Sequence, residues 1–142
     1  MVLASQEMEA MRKMLLCKDF TFDAAHNLVN YNGKCERLHG HTYRLRVVLE
    51  GEPDAEGMIM DFIELKAIVK ERILSQLDHS YINDIITQPS AENIALWIWG
   101  ELEERVKRDN CELYEVHVWE TADSRVILRK EDMANEGRTE RI

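Results

Sequence analysis

Two runs of alternating apolar and polar residues, separated by a turn-rich stretch, constrain this chain more than anything else in it. From Met14 to His26, Phe20, Phe22, Ala24 and His26 share one face, while Thr21, Asp23 and Ala25 take the other. The alternation resumes at His39, with His39, His41, Tyr43, Leu45, Val47 and Leu49 on one side and Thr42, Arg44, Arg46 and Glu50 on the other. A period of two is the signature of a half-buried β-strand. Between the runs, Asn27 to Lys34 is centred on Asn30-Tyr31-Asn32-Gly33 and reads as a surface loop. Antiparallel pairing through that loop sets the His26 end of one strand beside the His39 and His41 end of the other. Three imidazoles then converge.

The remainder supplies two helices and two more strands. Gly51 to Gly57 is a turn, and Asp61 with Glu64 fits a capping box that opens a helix. Phe62, Leu65, Val69, Ile73 and Leu77 recur at helical spacing as its buried stripe, ending near Leu77-Asp78-His79-Ser80. Asn83 to Gln88 is a connector. Ser90 is the expected N-cap of a second helix whose inner face is Ala91, Ile94, Ala95, Ile98, Leu102 and Val106. Strands at Leu113 to Glu120 and Arg125 to Lys130 complete the order ββααββ. That order predicts an α+β domain, a four-stranded antiparallel sheet with two helices on one face. One domain is expected over 14–131, with an N-terminal extension (1–13), a C-terminal tail (132–142) and disorder from Glu131 onward.

Bulk properties narrow the partners. At 142 residues the chain can bury a core without disulfides or a structural metal. A formal charge of −9 argues against a nucleic-acid partner, because neutralising phosphates takes clustered cations. No apolar run approaches the roughly 20 residues that span a bilayer, so no membrane partner is expected. The first residues lack a signal-peptide pattern. Cys17, Cys35 and Cys111 are odd in number and widely spaced, which suits a reducing compartment. The expected location is cytoplasmic.

Chemistry collects at the ends of elements. Cys35-Glu36-Arg37-Leu38-His39-Gly40-His41 places a thiol and two imidazoles within seven residues, and one intervening residue points His39 and His41 to the same face of an extended backbone. With His26 they make a candidate zinc triad, and three histidines with an open fourth position describe a catalytic rather than a structural site. A neighbouring cation would favour the Cys35 thiolate; without one Cys35 is a small inert hydrophobe. Asp78-His79 either terminates a helix or forms a carboxylate-oriented imidazole able to move protons. Glu120 is either a solvated strand end or, in a pocket, an acceptor for a guanidine-like N–H pair such as that of a pterin or guanine ring.

These segments resemble a known family, the 6-pyruvoyltetrahydropterin synthase and 6-carboxytetrahydropterin synthase (QueD) group of the tunnelling fold. The resemblance runs through Phe20-Thr21-Phe22-Asp23-Ala24-Ala25-His26, the Cys35 to His41 motif, Met60-Asp61-Phe62, Leu77-Asp78-His79, Pro89-Ser90-Ala91-Glu92-Asn93 and Trp119-Glu120-Thr121. It implies that His26, His39 and His41 hold Zn2+, that Cys35 is the catalytic thiol, that Asp78 and His79 handle protons, and that Glu120 anchors the pterin, with Ser90 neighbouring it. The implied substrate is 7,8-dihydroneopterin triphosphate, and the implied assembly is a homo-oligomer of trimeric strand barrels stacked as a hexamer. Lys34, Arg37 and Arg44 are only nearby candidates for holding the triphosphate, whose binding residues the sequence does not fix.

The Cys-x3-His-Gly-His interval is similar to that of the enzyme making 6-carboxy-5,6,7,8-tetrahydropterin for queuosine, whereas the pyruvoyl-forming branch, 6-pyruvoyltetrahydropterin synthase, usually has a longer one and stands as an alternative. Glu36 also completes Glu-x2-His-Gly-His, the pattern of a branch that forms 6-hydroxymethyl-7,8-dihydropterin for folate synthesis. Adjacent Cys35 and Glu36 resemble dual-function members, unless Glu36 is a solvated loop residue. From other classes, a non-catalytic pterin- or purine-binding protein and a structural zinc protein remain as alternatives.

Overall fold

The computed structural model describes residues 12–34 and 36–133. Cys35 lies outside the described residues, as do 1–11 of the expected extension and 134–142 of the expected tail.

The two alternating runs are β1 (Met14–His26) and β2 (His39–Gly51), paired antiparallel over their whole lengths from Met14↔Gly51 to His26↔His39. α1 (Phe62–Val69) continues through a π-helical turn (Lys70–Leu74) into a last α-helical turn (Ser75–Leu77). Then come β3 (Ser80–Tyr81), α2 (Ala91–Val106), β4 (Cys111–Thr121), β5 (Ser124–Arg129) and a short α3 (Lys130–Met133).

The sheet has five strands in the order β3-β1-β2-β4-β5. This corrects the expected four-stranded antiparallel sheet: β3 joins the edge of β1 in parallel, through Ala24↔Ser80 and Ala25↔Tyr81. Two residues are too few to show a period. A second correction concerns residues 131–133, which are helical instead of disordered, with Met133 packed against the core.

Burial follows the periodicity. Phe20, Phe22, Ala24, Tyr43, Leu45, Val47, Leu49, Val116 and Val118 turn one face of the sheet toward Leu65, Val69, Ile73 and Leu77 of the first helix and Ile94, Ile98 and Leu102 of α2, forming one core. Each fully buried aliphatic side chain contributes about 1.5–3 kcal/mol. Phe62 departs from the expected stripe and is exposed. The capping box is half formed: Asp61 Oδ1 accepts from the Ile63 amide at 2.8 Å, but Glu64 turns to Arg108 at 2.7 Å instead of reaching back. Ser90 caps α2 as expected, its Oγ accepting from the Asn93 amide at 3.1 Å.

The opposite sheet face is polar. Trp119 lies there beneath the guanidiniums of Arg44 (4.4 Å), Arg125 (4.9 Å) and Arg46 (5.3 Å). Asp19 pairs with both Arg44 and Arg46. Arg44 thus lies on the face opposite the histidines, as the alternation predicts.

Candidate metal centre and active site

The β1–β2 register builds the centre. His26 is paired with His39 across the ladder, and His41 lies two residues further along the same face, opposite Ala24. The three rings are nearly equidistant: centroids are 4.6 Å apart for His26 and His39, 4.8 Å for His39 and His41, and 5.1 Å for His26 and His41. Each pair meets edge to face.

Hydrogen bonds fix which nitrogens face inward. His26 Nδ1 is 2.8 Å from the Pro89 carbonyl oxygen, and His39 Nδ1 is 2.8 Å from that of Arg37. A carbonyl can only accept, so both Nδ1 atoms carry hydrogen and, in the neutral rings, both Nε2 atoms present lone pairs. Those two Nε2 atoms are 3.1 Å apart. Two lone pairs in such proximity repel unless a cation sits between them. His41 Nε2 is buried without a hydrogen-bond partner; Glu120 Oε1 is 3.2 Å away but is not aligned to accept from it. The ligand atoms of His26, His39, His41 and Glu120 all lie within 4.8 Å of one another. Three neutral nitrogens and one carboxylate oxygen fit a divalent transition metal, and this cluster could hold one.

Electrostatics suit the neutral ring. Burial pushes His41 below the ordinary imidazole value, the Glu120 carboxylate opposes it, and His26 and His39 add to the depression. Beneath the rings, Tyr43 is fully buried, stacked on Phe22 at 5.0 Å and edge-on to His41 at 5.5 Å, with its hydroxyl unpartnered. Burial first, then Glu120 and Glu36, push its phenol well above the usual range. The sequence pattern marked Tyr43 only as core, since its place in the alternation is that of any apolar residue.

The Asp78–His79 pair forms at the end of the first helix. Asp78 Oδ1 accepts from the Asp23 amide at 3.0 Å and lies 3.1 Å from His79 Nδ1. The His79 amide donates to the Asp23 carbonyl at 2.6 Å. His79 has φ +61°, a left-handed conformation that a non-glycine residue adopts at a cost, and its side chain is 81% exposed. A shallow depression of about 550 Å3, lined by Asp23, Gly40, His41, Thr42, His79 and Ser80, joins this pair to His41.

The remaining candidates divide. Glu120 borders both the histidine cluster and a separate hollow of about 230 Å3 shared with Ala91, Thr121 and Arg125. Glu36 Oε1 accepts from the Leu28 amide at 3.1 Å and stands 3.8 Å from His39 Nδ1, so it is a loop latch beside a ring and not a free solvated residue. Ser90 uses its hydroxyl as the α2 cap, next in the chain to the Pro89 carbonyl that orients His26. Contacts made by backbone carbonyls, such as those of Pro89 and Arg37, leave no mark in residue identity.

Comparison with known proteins agrees with this geometry. The model of the 6-pyruvoyl tetrahydropterin synthase family matches residues 15–131. A 6-carboxy-5,6,7,8-tetrahydropterin synthase of a Synechocystis strain is 42% identical over 97 residues, covering 63% of this chain and 75% of that protein. A dihydroneopterin monophosphate aldolase of Pyrococcus furiosus is 41% identical over 100 residues, covering 70% of this chain and 83% of its own. Among solved structures, the 6-pyruvoyl tetrahydropterin synthase of Caenorhabditis elegans shares the fold with a TM-score of 0.71 at 24% identity, over 84% of this chain and 97% of that one.

Proposed function

Since the chain belongs to the 6-pyruvoyl tetrahydropterin synthase family of pterin-metabolising lyases, we propose that it is a zinc-dependent 6-carboxy-5,6,7,8-tetrahydropterin synthase acting on 7,8-dihydroneopterin triphosphate in queuosine biosynthesis. One observation carries the reading: the ligand atoms of three histidines and Glu120 cluster within 4.8 Å of one another, and one of those histidines, His41, lines the same depression as His79, whose ring stands beside the Asp78 carboxylate. A protein that only binds a pterin has no use for that second group.

His26, His39 and His41 would hold Zn2+ through Nε2, with Glu120 at the margin. When bound, the ion supplies Lewis-acid polarisation of a substrate oxygen. The Asp78 carboxylate stands 3.1 Å from His79 Nδ1, where it would favour a proton on that nitrogen and leave Nε2 to give or take a proton above the depression. Cys35 is the proposed second proton-handling group. Glu120, which lines the hollow beside Thr121, is the proposed acceptor for the pterin N–H pair, with Ser90, the cap of α2, as a proposed neighbour of the ring.

A second reading has specific support. The aldolase relative and the place of Glu36 beside His39 favour some cleavage to 6-hydroxymethyl-7,8-dihydropterin, with Glu36 as a base. Both readings are separable. Cys35→Ala is expected to abolish the carboxylated product while zinc stays bound, and full turnover without the thiol overturns the assignment. Glu36→Ala is expected to lower the hydroxymethyl product selectively; an unchanged product ratio rejects the dual role.

We also propose the trimeric-barrel assembly. Among the described residues, β3 covers only Ala24 and Ala25 on the outer edge of β1 and Asp23 is taken by Asp78 and His79, so the stretch before Asp23 and the outer edge of β5 carry no strand partner and could pair between copies. Light scattering should give a trimer or hexamer, and a monomer at working concentration contradicts it. No helix among the described residues is long and apolar enough to cross a membrane.

A further inference from the structure

Every second residue along the outer edge of β1 turns its backbone toward the segment that follows the first helix. At Asp23, the amide is taken by the Asp78 carboxylate (3.0 Å) and the carbonyl by the His79 amide (2.6 Å). At Ala25 the partner is β3, through Tyr81. Past that point β3 has ended, and two side-chain amides continue the ladder. Asn83 accepts from the Asn27 amide through Oδ1 (3.0 Å) and donates to the Asn27 carbonyl through Nδ2 (2.8 Å). Gln88 repeats the arrangement at Val29, accepting its amide at 2.7 Å and donating to its carbonyl at 2.9 Å. A carboxamide has the donor and acceptor of a peptide group, so each side chain stands in for a missing strand residue.

The ladder reaches the histidines from both sides. Pro89, next to Gln88, supplies the carbonyl that orients His26, and Asn93 Nδ2 fixes the Gln88 carbonyl at 2.8 Å. Between the two stapled positions, Leu28 exchanges bonds with Glu36: its carbonyl accepts from the Glu36 amide at 2.9 Å, and its amide donates to Glu36 Oε1 at 3.1 Å. Glu36 in turn stands 3.8 Å from His39. Holding Asn27 and Val29 therefore holds the place where the loop closes onto the His39 end of β2.

We propose that Asn83 and Gln88 are positioning residues: by extending the β1 edge with side-chain amides they fix the loop that sets His26 and His39 against each other. Neither touches the inward-facing nitrogens. Their effect on metal binding rests on the reading of the histidines as ligands; their effect on the loop does not.

The test pairs amide hydrogen exchange with Zn2+ affinity, measured by competition against a chelating dye. In Gln88→Met, which keeps length but removes both bonds, exchange at Val29 and Glu36 should quicken at least about tenfold and Zn2+ should bind about tenfold more weakly, while amides from Phe20 to Ala24 keep their protection. Asn83→Leu should act likewise at Asn27. Gln88→Glu, which retains the acceptor for the Val29 amide, should recover part of both effects. Gln76→Met, on the exposed side of the first helix, should leave both unchanged. A folded Gln88→Met protein with unaltered exchange at Val29 overturns the inference, as does faster exchange with unaltered Zn2+ affinity. Should Asn83→Leu fail to fold, the Gln88 pair decides. Should the parent protein bind no Zn2+, the functional reading fails on that result, and exchange at Val29 still decides the ladder.

Discussion

The histidine triad and the Asp78–His79 pair are two regions built on opposite principles. The triad sits on paired strands, His26 is 1% exposed, and backbone carbonyls fix two of its rings. The pair sits on a strained turn, with His79 mostly in solvent and held through its backbone and a single carboxylate. A metal ligand must not move, because geometry sets its affinity. A proton carrier must meet both substrate and solvent. Under the proposed roles, strand register would serve the rigid duty and a helix end the mobile one.

The sharpest way to break this contrast is to remove a ligand. His26→Ala should lower Zn2+ affinity by more than about 100-fold, and should destabilise the fold by about 1–3 kcal/mol because the Pro89 carbonyl loses its buried donor. Metal analysis and a denaturant melt read both. His79→Ala should do the reverse, leaving Zn2+ bound while kcat falls by about 100-fold or more. If His79→Ala also sheds its metal, the division of labour is wrong.

A finer test uses the strained backbone. His79→Gly should raise stability by about 1 kcal/mol, because glycine takes the left-handed conformation without penalty, while turnover is lost. Thermal melts at fixed zinc content would show it, and an unchanged or lower midpoint removes strain from the account.

The smallest effect lies outside both regions. Hydrogen bonds from Arg46, against partial burial and together with Arg44, hold Asp19 well below the usual carboxylate range. Its contribution to stability is therefore present above about pH 3.9 and is lost as pH falls below that value. Asp19→Asn should flatten the acid limb of stability without altering Zn2+ affinity; an effect on the metal would show that the two sheet faces are coupled.

What the sequence revealed depended on how each residue's role is encoded. The triad was legible because alternation fixes which side chains share a face, and antiparallel pairing then joins His26 to His39. The Asp78–His79 pair was legible as neighbours at a helix end, but its grip on Asp23 was not, since backbone atoms carry no residue signature. The two-residue β3 fell below any detectable period, and the amide ladder of Asn83 and Gln88 looked like an ordinary polar connector. Phe62 kept the helical spacing yet faces outward, because periodicity names a stripe without saying where the core beneath it ends.

The most direct measurement is mass-spectrometric product analysis after incubating the zinc-loaded protein with 7,8-dihydroneopterin triphosphate. The account predicts 6-carboxy-5,6,7,8-tetrahydropterin as the main product, with any 6-hydroxymethyl-7,8-dihydropterin as a minor one that depends on Glu36. Recovery of the substrate bound but unchanged would contradict it, and would leave a binding protein on an enzyme's scaffold.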